Sequence, residues 1–197
     1  MAQAVVQEHH SSTGTDNRKL LMWIFLGSEC LFFGSLIATY LVFVGDSFEP
    51  ELSPDHILDI PVTSMSTFVL LMSSLAMVLA VYGAQHGRLT MMKLWLLSTI
   101  LLGLLFLGFQ VFEFSSFADE GLSLKANQFG ASFFVLTGFH GTHVAVGVIY
   151  LSSLLVGSTR RTGLGPEAGL HVEIAGLYWH FVDIVWIVIF TVVYLLP

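Results

Sequence analysis

Five apolar runs dominate this sequence of 197 residues, and each of them is long enough to cross a lipid bilayer. The hydrocarbon core of a membrane is about 30 Å thick, and about 20 residues of helix cross it. Charged residues make up only 11% of the chain, against about 25% in a soluble domain. We therefore predict an all-α fold, a polytopic membrane bundle of five transmembrane helices. The runs are Leu20–Val44, Val62–Gln85, Leu94–Phe112, Phe129–Val156 and Ile174–Leu196.

The basic residues between the runs predict the orientation of the bundle. Lys and Arg are retained on the cytoplasmic side of a membrane, and six of the seven in this chain fall on one side of the predicted helices. We expect a cytoplasmic N-terminus and an outside C-terminus, with residues 1–18 as a polar cytoplasmic tail and residues 19–197 as the membrane domain. The six are Arg18, Lys19, Arg88, Lys93, Arg160 and Arg161, and Lys125 is the exception.

Composition excludes several classes of function. The net charge is −7 and the seven basic residues form no stripe, so nucleic-acid binding has no support. A single cysteine, Cys30, excludes an internal disulfide. Neither a nucleophilic triad nor a glycine-rich phosphate loop is evident. The acidic outer loops are interpreted as solvated segments or as a face for a cationic partner.

Ionisable residues inside the apolar runs are the informative ones, because a charge at mid-bilayer costs about 2.5–3.5 kcal/mol. At 1.5 Å per residue, Glu29, His140 and Asp183 come roughly level, about 14 Å from the predicted inner edge. His143 and His180 come level about 9 Å from that edge. The matched depths predict one interior polar cluster on the first, fourth and fifth helices. Gln110 and Glu113 lie near the outer end of the third run.

Three interpretations of this predicted cluster remain open at this point. It is a hydrogen-bonded group that fixes helix packing, a proton-conducting or proton-buffering group, or a metal site. Two His residues and two carboxylates suit Zn or Fe by ligand type. However, the Glu-x-x-His repeat that builds di-metal sites in helix bundles is missing. We predict that the chain binds no metal.

Several segments resemble subunit III of the haem-copper respiratory oxidases, in its five-helix form. The resemblance covers roughly Lys19 to Leu196, and it is most specific in the fourth and fifth runs. Longer members of that family have two further helices at the start. The segments are Trp23-Ile-Phe-Leu-Gly-Ser-Glu29, Gln110-Val-Phe-Glu113, Gly138-Phe-His140-Gly-Thr-His143, Glu173 and Tyr178-Trp179-His180-Phe181-Val182-Asp183.

This resemblance implies a non-catalytic accessory subunit of a proton-pumping terminal oxidase in the bacterial plasma membrane. The chain would hold no haem or copper, since both lie in partner subunits. It would pack mainly against subunit I, with subunit II and a small subunit IV as further partners. It would also bind phospholipid, between this chain and a neighbouring subunit, because the two missing helices form one arm of the family's lipid cleft.

The resemblance also implies roles for particular residues. Glu29 aligns with the family's buried carboxyl, which reacts with a hydrophobic carbodiimide and so fits an uncharged acid in lipid. Arg160, Arg161 and His171 lie in the inner loop, where family members hold lipid head groups; topology determination explains the two arginines equally well.

Two further functions stay open beside the oxidase subunit. One is an accessory subunit of a nitric oxide reductase. The other is an independent proton channel or transporter. Three observations would distinguish these functions. An oxidase subunit predicts a copper-containing partner that consumes oxygen, and a reductase subunit predicts nitric oxide turnover without copper. An independent transporter predicts transport by the isolated chain.

Overall fold

Five long helices account for nearly all of the residues that the computed structural model describes, which are 16–44, 60–119, 128–159 and 168–195. Each is long and apolar enough to cross a membrane, so the predicted all-α bundle of five spans is confirmed. The orientation of the termini stays a prediction. The helices are α1 Asn17–Val44, α2 Ile60–Gln85, α3 Leu89–Asp119, α4 Gln128–Thr159 and α5 Ala168–Phe190.

The helices extend beyond the apolar runs that predicted them. Helix α3 is longer at both ends than Leu94–Phe112, and α5 begins at Ala168 rather than at Ile174. Hydropathy locates the part of a helix that lies in lipid, whereas the backbone hydrogen bonds continue into the interface. The carboxylate of Asp16 caps α1 by accepting the N–H of Arg18 at 2.8 Å. Asn17 and Arg18, which we predicted in the tail, therefore belong to the helix.

Four helices form a closed ring, and α1 lies against one side of it. Helix α2 packs against α3 and α5, while α4 packs against the same two helices. Helix α1 packs against α4 and α5. It buries only Leu26, Phe33 and Tyr40, which are seven residues apart. Most of the α1 surface is thus left for lipid or another protein.

A tight turn joins α2 to α3 and depends on two glycines. Gly87 has φ +67°, which side chains rarely adopt, and the N–H of Arg88 donates to the carbonyl of Gly83 at 2.8 Å. A Cβ atom on Gly83 would lie 2.8 Å from the backbone nitrogen of Met92. The two helices can therefore approach this closely only because position 83 has no side chain.

We predict that Gly83→Ala destabilises the chain, whereas Gly108→Ala does not. Overpacking against the α3 backbone costs about 1–3 kcal/mol, and nothing lies within 4 Å of a Cβ atom at Gly108. Alanine at a free helical position gains about 0.5–1 kcal/mol. Thermal unfolding in detergent should therefore show a lower midpoint temperature for Gly83→Ala and a higher one for Gly108→Ala. Equal midpoint temperatures for the two variants would contradict the close approach of α2 and α3.

Candidate functional site

The five ionisable residues predicted for one polar cluster are separated into three places. Glu29 and His143 meet between α1 and α4, His140 points from α4 to α5, and His180 turns towards α2 beside Asp183. The prediction of a single cluster is wrong in this respect. Matched depth fixes the height of a residue in the membrane and leaves its direction around the helix open. Residues three positions apart differ by about 60° in that direction, so His140 and His143 contact different helices.

Glu29 and His143 form a hydrogen-bonded pair at the edge of the bundle. Oε2 of Glu29 lies 3.2 Å from Nε2 of His143, and their side chains are 17% and 18% exposed. Nδ1 of His143 lies 2.8 Å from the carbonyl of Phe139. A carbonyl only accepts, so Nδ1 carries a hydrogen, and the bond to Glu29 requires one proton between Oε2 and Nε2. The pair can thus hold one proton, either on the acid or on the imidazole.

An apolar cavity of about 300 Å³ adjoins this pair. Its lining includes His143, Phe25, Val146 and Tyr178, and it is almost wholly apolar. The hydroxyl of Tyr178 donates to the carbonyl of His143 at 3.0 Å, which turns the polar end of this tyrosine towards α4. An enclosed water needs two to four polar partners, so this cavity suits a hydrocarbon chain better than water.

His140 is completely buried and joins α4 to α5. Its Nε2 donates to the carbonyl of Val182 at 3.1 Å, and its ring lies 4.8 Å from that of Trp186 and 5.8 Å from that of Phe106. Nδ1 has no partner among the described residues. A neutral imidazole with its hydrogen on Nε2 fits this setting. Of the three interpretations, helix packing suits this residue best.

Two tryptophans of α5 donate hydrogen bonds into α2. The indole N–H of Trp179 donates to Ser73 at 3.0 Å, and that of Trp186 donates to Thr67 at 2.9 Å. Gly103 leaves room for the Trp179 ring, because a Cβ there would lie 2.7 Å from it. Sequence reasoning singled out Trp179 as a family residue but missed these acceptors. Small hydroxyl residues are common in membrane helices, and only their repetition along α2 could have indicated a partner.

His180 and Asp183 lie beside Ser74. Nδ1 of His180 lies 2.7 Å from Oγ of Ser74. Asp183 is 5% exposed, and its Oδ1 has no partner among the described residues. Both residues line a groove between α2 and α5.

The polar residues near the C-terminal end of α3 also hydrogen-bond to neighbouring helices. Gln110 donates to the carbonyl of Thr137 at 2.7 Å, in space left by Gly141. Glu113 is buried and accepts a hydrogen bond from the hydroxyl of Thr63 on α2. Tyr194 also hydrogen-bonds to Thr63. Tyr194 lies in a π-helical turn, Thr191–Leu195, that ends α5.

The residues expected to hold lipid head groups are only partly described. Arg160 and Arg161 lie outside the described residues, while His171 is half-buried in the first turns of α5. Glu173, two residues further on, pairs with Lys19 of α1 at 2.6 Å. That pair joins the ends of α1 and α5 on the predicted cytoplasmic side. Lipid binding by the three predicted residues stays a prediction.

Within residues 16–44, 60–119, 128–159 and 168–195, no three His, Cys, Asp or Glu side chains converge as metal ligands would. One ring nitrogen of each of His140, His143 and His180 hydrogen-bonds to a backbone carbonyl or to a serine hydroxyl, at 2.7 to 3.1 Å. The expected absence of a metal site remains a prediction.

We predict that Glu29→Leu destabilises the bundle by about 1–2 kcal/mol, because it leaves Nε2 of His143 without a partner in lipid. Glu29→Gln should stay close to the parent chain, because its amide N–H can donate to that nitrogen. The check is a double-mutant cycle with His143→Leu, measured by unfolding in detergent. If the double variant loses the sum of the two single losses, the residues do not interact.

Comparison with known proteins agrees with the resemblance that the motifs indicate. The cytochrome c oxidase subunit III family matches residues 1–196 of the chain. Cytochrome c oxidase subunit 3 of Bacillus sp. (strain PS3) is 39% identical over 96% of this chain and 90% of its own length. Quinol oxidase subunit 3 of Bacillus subtilis (strain 168) is 40% identical over 96% of this chain and 91% of its own. A probable quinol oxidase subunit 3 of Staphylococcus aureus is 37% identical over 90% of this chain. The chain belongs to the cytochrome c oxidase subunit III family.

Proposed function

We propose that this chain is a non-catalytic accessory subunit of a proton-pumping haem-copper terminal oxidase in the bacterial plasma membrane. The family match over residues 1–196 carries the proposal. Haem and copper would be held by partner subunits, and oxygen would be reduced to water there. Relatives named for cytochrome c and for quinol are almost equally similar, so the likeness extends to oxidases of both donor types.

The main partner is the catalytic subunit I, with subunit II and a small subunit IV as further neighbours. Contact with subunit I is made at the depth of the lipid by apolar side chains, and not by the acidic loops. Helix α1 supports this view, because Leu21 and Leu31 are among its many exposed apolar residues. Helices in lipid associate by close packing and by hydrogen bonds, and both need a partner at the same depth.

Glu29 and His143 take part in proton uptake under this proposal. The pair holds one proton, and it is partly exposed at the edge of the bundle, where a neighbouring subunit can reach it. His140 is fully buried and suits this role less. In this arrangement a proton would pass between the carboxyl of Glu29 and the imidazole of His143. The chain would hold these two groups in place and would take no part in the redox chemistry.

Lipid binding is the third part of the proposal. The apolar cavity beside His143 offers about 300 Å³ for hydrocarbon. Arg160, Arg161 and His171 belong to the loop between α4 and α5 or to the start of α5. Basic side chains there would hold a phosphate head group on the cytoplasmic side.

Purification of the native complex through a tag on this chain tests the proposal. We expect a haem spectrum, copper, and oxygen consumption with either reduced cytochrome c or a quinol. Nitric oxide turnover without copper would favour the reductase alternative. A chain recovered without a haem protein, but able to transport protons alone, would overturn the proposal.

We predict that Glu29→Gln assembles normally but loses activity faster than the parent complex over many turnovers. The amide retains a hydrogen bond to His143 and lacks the titratable proton. Glu113→Gln is the matched control, because this buried carboxyl binds Thr63 elsewhere in the bundle. Oxygen-consumption traces carried to thousands of turnovers are the measurement. Unchanged traces for Glu29→Gln would leave Glu29 with a packing role.

A further inference from the structure

A groove between α2 and α5 places polar side chains against the lipid, and the proposed proton pair does not use them. The α2/α5 groove has a volume of about 470 Å³ around Ser74, His180 and Asp183, with walls of Leu71, Leu75, Val78 and Ile184. A second cavity of about 280 Å³ shares Val78 and His180 with it and continues along the same two helices to Gln85 and Glu173. The groove therefore follows the seam from the end of α2 into its middle.

Two polar atoms in this groove have no hydrogen-bond partner among the described residues. Nδ1 of His180 lies 2.7 Å from Oγ of Ser74, which leaves the second ring nitrogen, Nε2, without a hydrogen bond to a described residue. Oδ1 of Asp183 is buried and also has no hydrogen-bond partner among these residues. A carboxyl oxygen can accept a hydrogen bond, and Nε2 donates or accepts one according to the tautomer of the ring.

Both atoms need a hydrogen-bond partner, and the carboxyl oxygen of Asp183 needs a donor. Lipid tails carry no donor, and an unpaired polar group in hydrocarbon is costly. Water satisfies such groups, but it would leave the apolar walls without a packing partner. Leu75 and Ile184, on opposite sides of the groove, are 54% and 59% exposed. A helix carrying a polar side chain would bury these apolar side chains and satisfy both polar atoms together.

We propose that the α2/α5 groove binds a transmembrane helix of a neighbouring subunit, whose polar side chain donates an N–H or O–H to Asp183 and hydrogen-bonds to Nε2 of His180. That side chain is a hydroxyl or an amide, since either group can both donate and accept, and it lies at the depth of Ser74. This inference rests on the proposed function, since it assumes a complex. It adds which face of the chain the partner covers and through which hydrogen bonds. Specificity would follow, because an apolar helix at this face leaves both polar atoms unpaired.

Site-directed photocrosslinking in the intact membrane complex tests the occupant. Cys30 is exposed on α1, so it is first replaced by serine, and single cysteines are then introduced as Leu75→Cys and Ile184→Cys. Each cysteine is labelled with a benzophenone maleimide and the complex is illuminated. The crosslinked products are then identified by mass spectrometry. We expect both positions to crosslink to one and the same partner subunit. The parent chain labelled at Cys30 on α1 should give a different pattern of adducts.

The hydrogen bond itself is tested by retention of the chain in the complex through a fixed detergent wash. Asp183→Leu and His180→Leu should each weaken retention by roughly 3- to 20-fold, the range expected for a hydrogen bond between membrane helices. Ser115→Ala is the matched control, because this exposed hydroxyl on α3 binds only its own helix. Asp183→Asn, which keeps a carbonyl acceptor, should retain more of the chain than Asp183→Leu and so separates bonding from folding.

Three outcomes would overturn the inference. They are adducts with lipid alone, adducts only with a second copy of this chain, and leucine variants that are retained as well as Ser115→Ala. The proposed function fails separately. A tag on this chain that recovers no haem protein refutes the oxidase complex, whereas a haem complex whose groove crosslinks only to lipid refutes this docking site alone.

Discussion

The hydrogen bonds between α5 and its neighbours hold this bundle together, because lipid gives helices no hydrophobic reason to associate. Trp179 and Trp186 reach from α5 into α2, where Ser73 and Thr67 accept their N–H groups. On its other side, a carbonyl of α5 accepts from His140 of α4. Each bond satisfies a group that would otherwise be unpaired in hydrocarbon. Helix α5 thereby fixes the positions of α2 and α4, each of which also packs against α3.

The polar residues within the spans differ in what they can do because they differ in exposure. His140 is completely buried beside aromatic rings, where its hydrogen bond joins α4 to α5. Glu29 and His143 lie at one edge of the bundle, and His180 and Asp183 lie in a groove at another. A group at the edge can exchange a proton or a hydrogen bond with a neighbour. Ionisable residues in this fold therefore divide into those that the bundle encloses and those that reach its surface.

Hydropathy predicted the number of helices, because a backbone in lipid must satisfy its own hydrogen bonds and only a helix of sufficient length can do so. The ends of α3 and α5 were not predictable in the same way, since the interface tolerates both helix and loop. Motifs around His140 and His180 identified the family. The prediction of a single polar cluster was wrong, because the sequence gives only the depth of each residue in the membrane. The contacts of a residue also depend on how its helix is rotated and on which helices lie beside it. The roles of Ser73 and Thr67 were hidden, because nothing in their own segment distinguishes an acceptor for indole from an ordinary hydroxyl.

The narrow contact stripe of α1 has a consequence for its path across the membrane. Leu26, Phe33 and Tyr40 repeat every seven residues, while a straight α-helix drifts by about 20° per heptad from such a repeat. To keep all three side chains against α4 and α5, α1 must incline across them in the left-handed sense of a coiled coil. The inclined helix turns its opposite surface, with the exposed Leu31, away from the bundle. A neighbouring helix that packed against this surface would therefore cross the membrane at an angle set by the inclination of α1.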